Sequence, residues 1–271
     1  MKPFLRWVGG KTWFLKYLND FVPEKGFNKY HEPFLGGGSV FFHLKPEEAF
    51  LSDLNEELIF TYQMVQSEVE SVISELRRFK NTKEYYYEVR NKEFKNAAKR
   101  AAQFIYLNQT SFNGIYRVNQ NGVYNVPYGY REKNFFEPEN LRLVSKSLQK
   151  AKIFPSEFQQ IIDNIQMGDL VFLDPPYTIT HNDNGFIKYN EKLFSLEDQK
   201  TLARFIEEII EKDAFYILTN AAHKEVKKIF KSNRPLQLTR ASLISGKKSK
   251  RGHFSEYIFS NIPDFNLKVQ S

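Results

Sequence analysis

Val171-Phe172-Leu173-Asp174-Pro175-Pro176-Tyr177 is an apolar run that ends abruptly on an acid and two prolines. Gly168-Asp169 before it reads as a turn. Leu170 to Leu173 is too short for a helix and is bounded like a buried strand. The prolines remove two amide donors, fix φ and drive Asp174 out of the helical region, so the strand must stop there. A carboxylate at the carboxyl end of a buried strand lies where open α/β sheets bind their ligands, and an α/β class is expected.

That tip has a chemical use. The Asp174 carboxylate and the Pro175 carbonyl are two acceptors that can take both hydrogens of an exocyclic NH2, which turns the nitrogen lone pair away from its ring. Tyr177 can stack on that ring. The same residues serve equally well as an ordinary Asp-Pro-Pro turn with a half-buried tyrosine, because motifs this short recur by chance.

Outward from the tip, composition narrows the classes. A chain of 271 residues supports one or two domains with a full core. The formal net charge of +7 suits a polyanionic partner, although a basic protein without one carries the same charge. Absence of cysteine excludes disulfides, thiolate zinc sites and thiol nucleophiles, and five scattered histidines form no metal-ligating pattern, so no metal is expected. No apolar run reaches membrane-spanning length and the N-terminus lacks a signal peptide pattern. The expectation is a cytoplasmic protein without a membrane partner.

Towards the N-terminus, Trp7-Val8-Gly9-Gly10-Lys11 precedes an apolar-periodic run (Trp13, Phe14, Tyr17, Leu18) that predicts a helix with Lys11 at its positive end. It is not a phosphate loop, since that motif needs glycine where Leu5 stands. Glu32-Pro33-Phe34-Leu35-Gly36-Gly37-Gly38 joins an extended segment to an apolar helix, and its glycines let a ligand touch backbone. Ala49 to Asp53 predicts a second strand ending in an acid, placed to accept from ribose hydroxyls or to cap the helix that follows.

Residues 55–110 show helical spacing, with an aromatic cluster expected to be core. Then Asn113 to Gly129 alternates around Asn121-Gly122, which predicts a β-hairpin. Its strands carry Arg117, Asn119, Asn121 and Asn125, followed by Pro127 and Tyr128. They either enter a DNA groove or form a solvated hairpin. A helix near Asn140 to Lys150, a strand near Ala151 to Phe154, an unpatterned loop over residues 178–191 and a capping-box helix from Ser195 follow. A strand at Phe215 to Leu218 and a closing antiparallel pair, Leu236 to Thr239 with Tyr257 to Phe259, complete the pattern. Between the last two lies a basic run with Lys247, Lys248 and Arg251, either a phosphate contact or solvated charge.

Taken in order, Trp7 to Lys11, Glu32 to Gly38, Asp53, Arg117 through Gly129 and Asp174 to Tyr177 resemble the Dam-like (D12 class) N6-adenine DNA methyltransferase family over nearly the whole chain. The resemblance implies a Rossmann-like methyltransferase sheet using S-adenosyl-L-methionine, with an inserted, mainly helical target-recognition domain that carries the hairpin. The boundaries expected are 1–54 and 146–271 for the catalytic domain and 55–145 for the insert. By position it implies Trp7, Lys11, Glu32, Pro33, Phe34, Gly36, Gly37, Gly38, Asp53 and Asp174 for the cofactor. It implies Asp174, Pro175, Pro176 and Tyr177 for catalysis on a flipped-out adenine of double-stranded DNA. Asn121 departs from the basic residue usual in members specific for GATC. Rivals are methylation of an RNA amine or of cytosine N4, and a catalytically silent DNA-binding module. Location in the bacterial or viral nucleoid and a monomer fit the resemblance, and the sequence names no restriction partner.

Overall fold

The computed structural model describes residues 1–119, 122–177, 194–230, 235–241 and 253–263. Its strands are β1 (Tyr30–Glu32), β2 (Ala49–Asp53), β3 (Ala151–Pro155), β4 (Leu170–Leu173), β5 (Phe215–Ala221), β6 (Leu236–Ala241) and β7 (His253–Ser260). They belong to one mostly parallel seven-stranded sheet, ordered β3-β2-β1-β4-β5-β7-β6. This is a Rossmann-like α/β order closed by an antiparallel pair. The chain divides into two compact units, Met1–Thr12 with Leu35–Ser156, and Trp13–Phe34 with Glu157–Ser271.

β4, in the second unit, is the fourth of the seven strands. Its four residues are buried, as a strand covered on both faces requires. It runs parallel to β1, with Tyr30 opposite Leu170, and parallel to β5, with Leu173 opposite Leu218. β5 then pairs antiparallel with β7, and β7 with β6, as the closing pair predicted. The helix Leu196–Glu211 begins with the expected capping box between Ser195 and Asp198, and buries Leu202, Phe205, Ile206 and Ile209. The helix expected over Trp13 to Leu18 is shorter: one α turn, Leu15–Leu18, lies between the 3-10 turns Lys11–Trp13 and Asn19–Phe21. Pro23 keeps Val22 out of the helical region (φ −94°, ψ 139°), so the run of turns stops at Phe21.

A buried acid anchors the start of β4. Asp169 is 1% exposed. It accepts from the Lys29 and Gln166 amides at 3.0 Å each and faces His31 Nε2 at 2.8 Å. Gly168 makes the turn at φ +78°, where a Cβ would lie 2.7 Å from the Asn28 side chain. Burial opposes the charge on Asp169, but the hydrogen bond from His31 and those from the two amides outweigh it and hold the carboxyl below its ordinary value.

The first unit pairs β2 with β3 in parallel, Ala49 opposite Ala151. Its helices are Ser39–Leu44, Glu56–Ser67, Val69–Leu76, Lys83–Arg90, Ala97–Thr110 and Pro138–Leu148. Asn55, Thr82 and Asn96 cap three of them by accepting from Leu58, Tyr85 and Lys99 amides. Gln66 Nε2 donates to the Leu148 and Ala151 carbonyls at 2.6 and 2.8 Å, tying helix to sheet. The aromatic cluster is core as expected: Tyr62, Tyr86 and Tyr106 are fully buried. Their phenol groups still need acceptors, and Tyr86 and Tyr106 donate to the Val126 and Lys80 carbonyls at 2.9 and 2.7 Å.

The expected antiparallel pairing of the hairpin is present but brief: the Asn119 amide donates to the Val123 carbonyl at 2.9 Å and the Asn125 amide to the Arg117 carbonyl at 3.2 Å. Among the described residues it forms no continuous strands, only bridges at Ser111 with Tyr128 and Val118 with Tyr124. Pro127 offers no amide, and Tyr128 turns inward to donate to Asn81 Oδ1 at 2.9 Å, which pulls the returning arm onto the helical core. The tip residue Asn121, the 178–191 loop and the basic Lys247, Lys248 and Arg251 lie outside the described residues.

Asp169→Ala should cost about 3 kcal/mol at neutral pH, because it leaves His31 buried without its carboxylate. The folded carboxyl titrates below its unfolded value, so its contribution is complete above about pH 4 and is lost as pH falls through the lowered value. Urea unfolding of variant and wild type should therefore converge in acid. An equal gap at pH 7 and in strong acid would exclude this carboxylate as the source.

Candidate active site

In the second unit the strand order reverses between β1 and β4, and their carboxyl ends carry Glu32-Pro33 and Asp174-Pro175. Such a reversal is the usual binding crevice of an open α/β sheet. Asp174 is partly exposed while Leu173 before it is fully buried. The Thr219 hydroxyl, fully buried on neighbouring β5, donates to Asp174 Oδ1 at 2.7 Å. The carboxylate is thus oriented from below at the end of its strand.

Tyr177 is also held. Its hydroxyl donates to the carboxylate of Glu256, a residue 2% exposed on β7 opposite Ala221. A phenol anchored at its oxygen keeps few ring orientations, which suits a stacking face. Pro175 is buried and Pro176 exposed. Glu32 is 3% exposed and accepts from Tyr30 at 2.8 Å. Burial, then the negative charges of Glu32 and Asp174, push the Tyr30 hydroxyl well up, so it stays a protonated donor. Pro33 is buried, and Phe34 packs with Phe158 and Phe194 at ring separations of 5.4 and 5.8 Å.

The first unit contains the glycine turn. Gly36 (φ +46°) and Gly38 (φ +63°) occupy left-handed backbone. A Cβ on Gly36 would lie 2.6 Å from Trp7 Cδ1, so Trp7 packs flush on the turn, and it also stacks on Tyr116 at 5.8 Å. The Gly36 amide donates to Asp53 Oδ2 at 3.0 Å, and the Gly36 carbonyl accepts from Tyr62 at 3.1 Å. Asp53 Oδ1 accepts from the Asn55 amide. The helix cap is therefore Asn55, not Asp53, because the Asp53 carboxylate is engaged by the turn. Burial pushes the Asp53 carboxyl up, against the amides of Asn55, Gly36 and Leu54. Lys11 is 2% exposed and donates to the Gly9 carbonyl at 3.0 Å.

In the same unit Arg117 Nε donates to Asn125 Oδ1 at 2.8 Å, and Asn119 Oδ1 accepts the Val123 amide at 3.0 Å. These bonds shape the hairpin arms. Pro127 is exposed, whereas Tyr128 is 8% exposed and belongs to the core. Thr219, Glu256, Tyr62 and Tyr116 were not singled out by sequence. Thr219 had a usable signal, a hydroxyl ending the apolar run Phe215 to Leu218 on what reads as another parallel strand. Glu256, an acid inside an apolar strand, had a weaker one.

The family model for D12 class N6 adenine-specific DNA methyltransferases matches residues 7–249. The chain is 37% identical over 244 residues to the type II methyltransferase M.MjaIII of Methanocaldococcus jannaschii, covering 82% of this chain and 84% of that protein. It is 32% identical over 272 residues to the type II methyltransferase M1.LlaDCHI of Lactococcus lactis subsp. cremoris, covering 96% and 95%. It is 30% identical over 226 residues to the DNA adenine methylase of Escherichia coli (strain K12), covering 81% and 80%.

Gly36→Ala should destabilise the chain by about 2 kcal/mol, from the left-handed backbone and the collision with Trp7. Adding Trp7→Leu should recover part of that loss in thermal melts. Strictly additive effects of the two substitutions would show that the indole is not what the missing Cβ accommodates.

Proposed function

We propose how a member of the D12 class N6 adenine-specific DNA methyltransferase family, to which this chain belongs, distributes its reaction over these side chains. The protein is a DNA methyltransferase acting on N6 of adenine, and so requires a methyl donor. The donor we assign is S-adenosyl-L-methionine. The first unit's residues suit it: the 36–38 turn presents side-chain-free backbone, and Asp53 keeps acceptor capacity for ribose hydroxyls beyond its amide bonds. Trp7 and Lys11 complete this group, and Glu32, Pro33 and Phe34 are proposed for the same ligand. When bound, the donor supplies an electrophilic methyl on a sulfonium.

The observation that carries the catalytic assignment is the Thr219 hydroxyl on Asp174. A carboxylate fixed in this way can accept one N6 hydrogen while the Pro175 carbonyl accepts the other. The N6 lone pair is then withdrawn from the ring and aimed, and positioning and electrostatics supply most of the rate. Tyr177, set by Glu256, stacks on the base, and Pro176 stiffens the tip. The target lies in double-stranded DNA and must leave the stack at a cost of a few kcal/mol. Residues 1–54 and 146–271 would carry the transfer. Residues 55–145 would recognise DNA through Arg117, Asn119 and Asn125, with Pro127 and Tyr128 as scaffold. Among the described residues no helix is long and apolar enough to cross a membrane. A substrate of DNA is what places the enzyme in the cytoplasm, at the nucleoid, in this reading. The adenine-specific family match weighs against RNA and cytosine N4 as substrates.

Transfer of tritiated methyl to duplex DNA tests these roles. Asp174→Ala should reduce it by at least about a hundredfold with the fold intact. Thr219→Val should lower kcat about tenfold, the loss of one hydrogen bond to a charged group, with little change in KM for DNA. Substantial turnover by Asp174→Ala would sink the assignment. Tyr177→Ala should weaken the fluorescence rise of a target-site 2-aminopurine more than donor binding, and an unchanged rise would remove the stacking role.

A further inference from the structure

The first unit contains a cavity of about 110 Å³ between the residues that precede Trp7 and those that follow Gly129, lined by Lys2, Arg6, Arg131 and Lys133 among others. Among the described residues that line it Glu137 is the one acid, and Glu137 is already paired with Lys2 at 2.7 Å. Arg6 and Arg131 converge on one residue: each donates to the Gln109 carbonyl at 3.4 Å, and Arg131 donates also to Gln109 Oε1 at 2.7 Å. In this unit Arg78, Arg100 and Arg142 each hold a carboxylate, while Arg90 and Arg117 donate singly to a carbonyl or amide oxygen. Among the described residues Arg6 and Arg131 hold none. Burial first, and then the charge of Arg131, make the protonated state of Arg6 harder to maintain.

Two guanidiniums held together repel each other, and among the described residues no carboxylate hydrogen-bonds to either. A planar donor fork matches an oxyanion bidentately, and phosphate is the anion best suited to two such forks. Arg6 also donates to the Ser111 carbonyl at 3.2 Å, and its side chain packs where a Cβ on Gly114 would fall. The cavity therefore stands at the root of the hairpin arms.

We propose that the cavity edged by Lys2, Arg6, Arg131 and Lys133 binds a phosphate group, with Arg131 and Lys133 as its principal contacts. The phosphate comes from the DNA backbone or from a small phosphate in solution. The first source deepens the proposed function and rests on it, whereas the second does not. A backbone contact would fix how the duplex lies along the hairpin and carry no sequence information.

Arg131→Gln and the exposed Lys133→Gln are the variants to test, by fluorescence anisotropy of a labelled duplex over a salt series and by inorganic phosphate binding followed by 31P NMR. With DNA as the source, each variant should bind several-fold more weakly on any duplex, and the slope of log affinity against log salt should fall by about 1. With a small phosphate as the source, duplex binding stays unchanged while the phosphate signal of the wild type is lost in both variants. The phosphate arm stands even if the wild type binds no duplex, which would refute the DNA reading alone. The cavity assignment is overturned if neither probe responds, or if the loss is confined to one DNA sequence with an unaltered salt slope.

Discussion

A carboxylate buried at the foot of β4 sets the geometry that the second unit uses at the other end of that strand. Asp169 draws in His31 and the amides of Lys29 and Gln166. These partners fix β1 against β4 in one register, and in a sheet a slip of one residue would turn every side chain to the opposite face. Asp174 lies five positions further on, so its height and facing follow from that anchor. An ionised group this deep is tolerated only because its lone pairs are filled.

The same economy appears at the tip. Thr219 and Glu256 lie on β5 and β7, and each spends a buried polar group on one residue of the Asp174 to Tyr177 stretch. Neither contributes to a hydrophobic core, and a valine and a leucine would pack there more cheaply. Their presence is explained by orientation: a carboxylate and an aromatic ring that must each meet a substrate in one pose need their rotamers settled beforehand.

The first unit solves a different problem, joining an extended N-terminal segment to a helical body. Asn108 accepts from the Arg6 amide and donates to the Arg6 carbonyl, both at 2.7 Å, so one side-chain amide replaces a strand partner. Gln109 Nε2 donates to the Phe4 carbonyl at 2.7 Å. Trp7 is carried by this segment onto the glycine turn, where Asp53 and Tyr62 hold Gly36 from either side of its peptide unit.

Much of this was legible in the residue order. Strand β4, the capping box at Ser195, the closing antiparallel pair and the aromatic core follow from period, punctuation and composition, which are local properties of the chain. The acid before two prolines and the three glycines after Glu32-Pro33-Phe34 announced themselves because proline and glycine change the backbone wherever they stand. What tertiary structure alone decided were the partners. Thr219 reaches Asp174 from 45 residues away and Glu256 reaches Tyr177 from 79. Asn55 took the cap because Gly36 had claimed Asp53, and the hairpin became two bridges because Tyr128 turned to the core. A side chain's hydrogen-bonding partner is set by which strands adjoin, and adjacency in space is not written in adjacency along the chain.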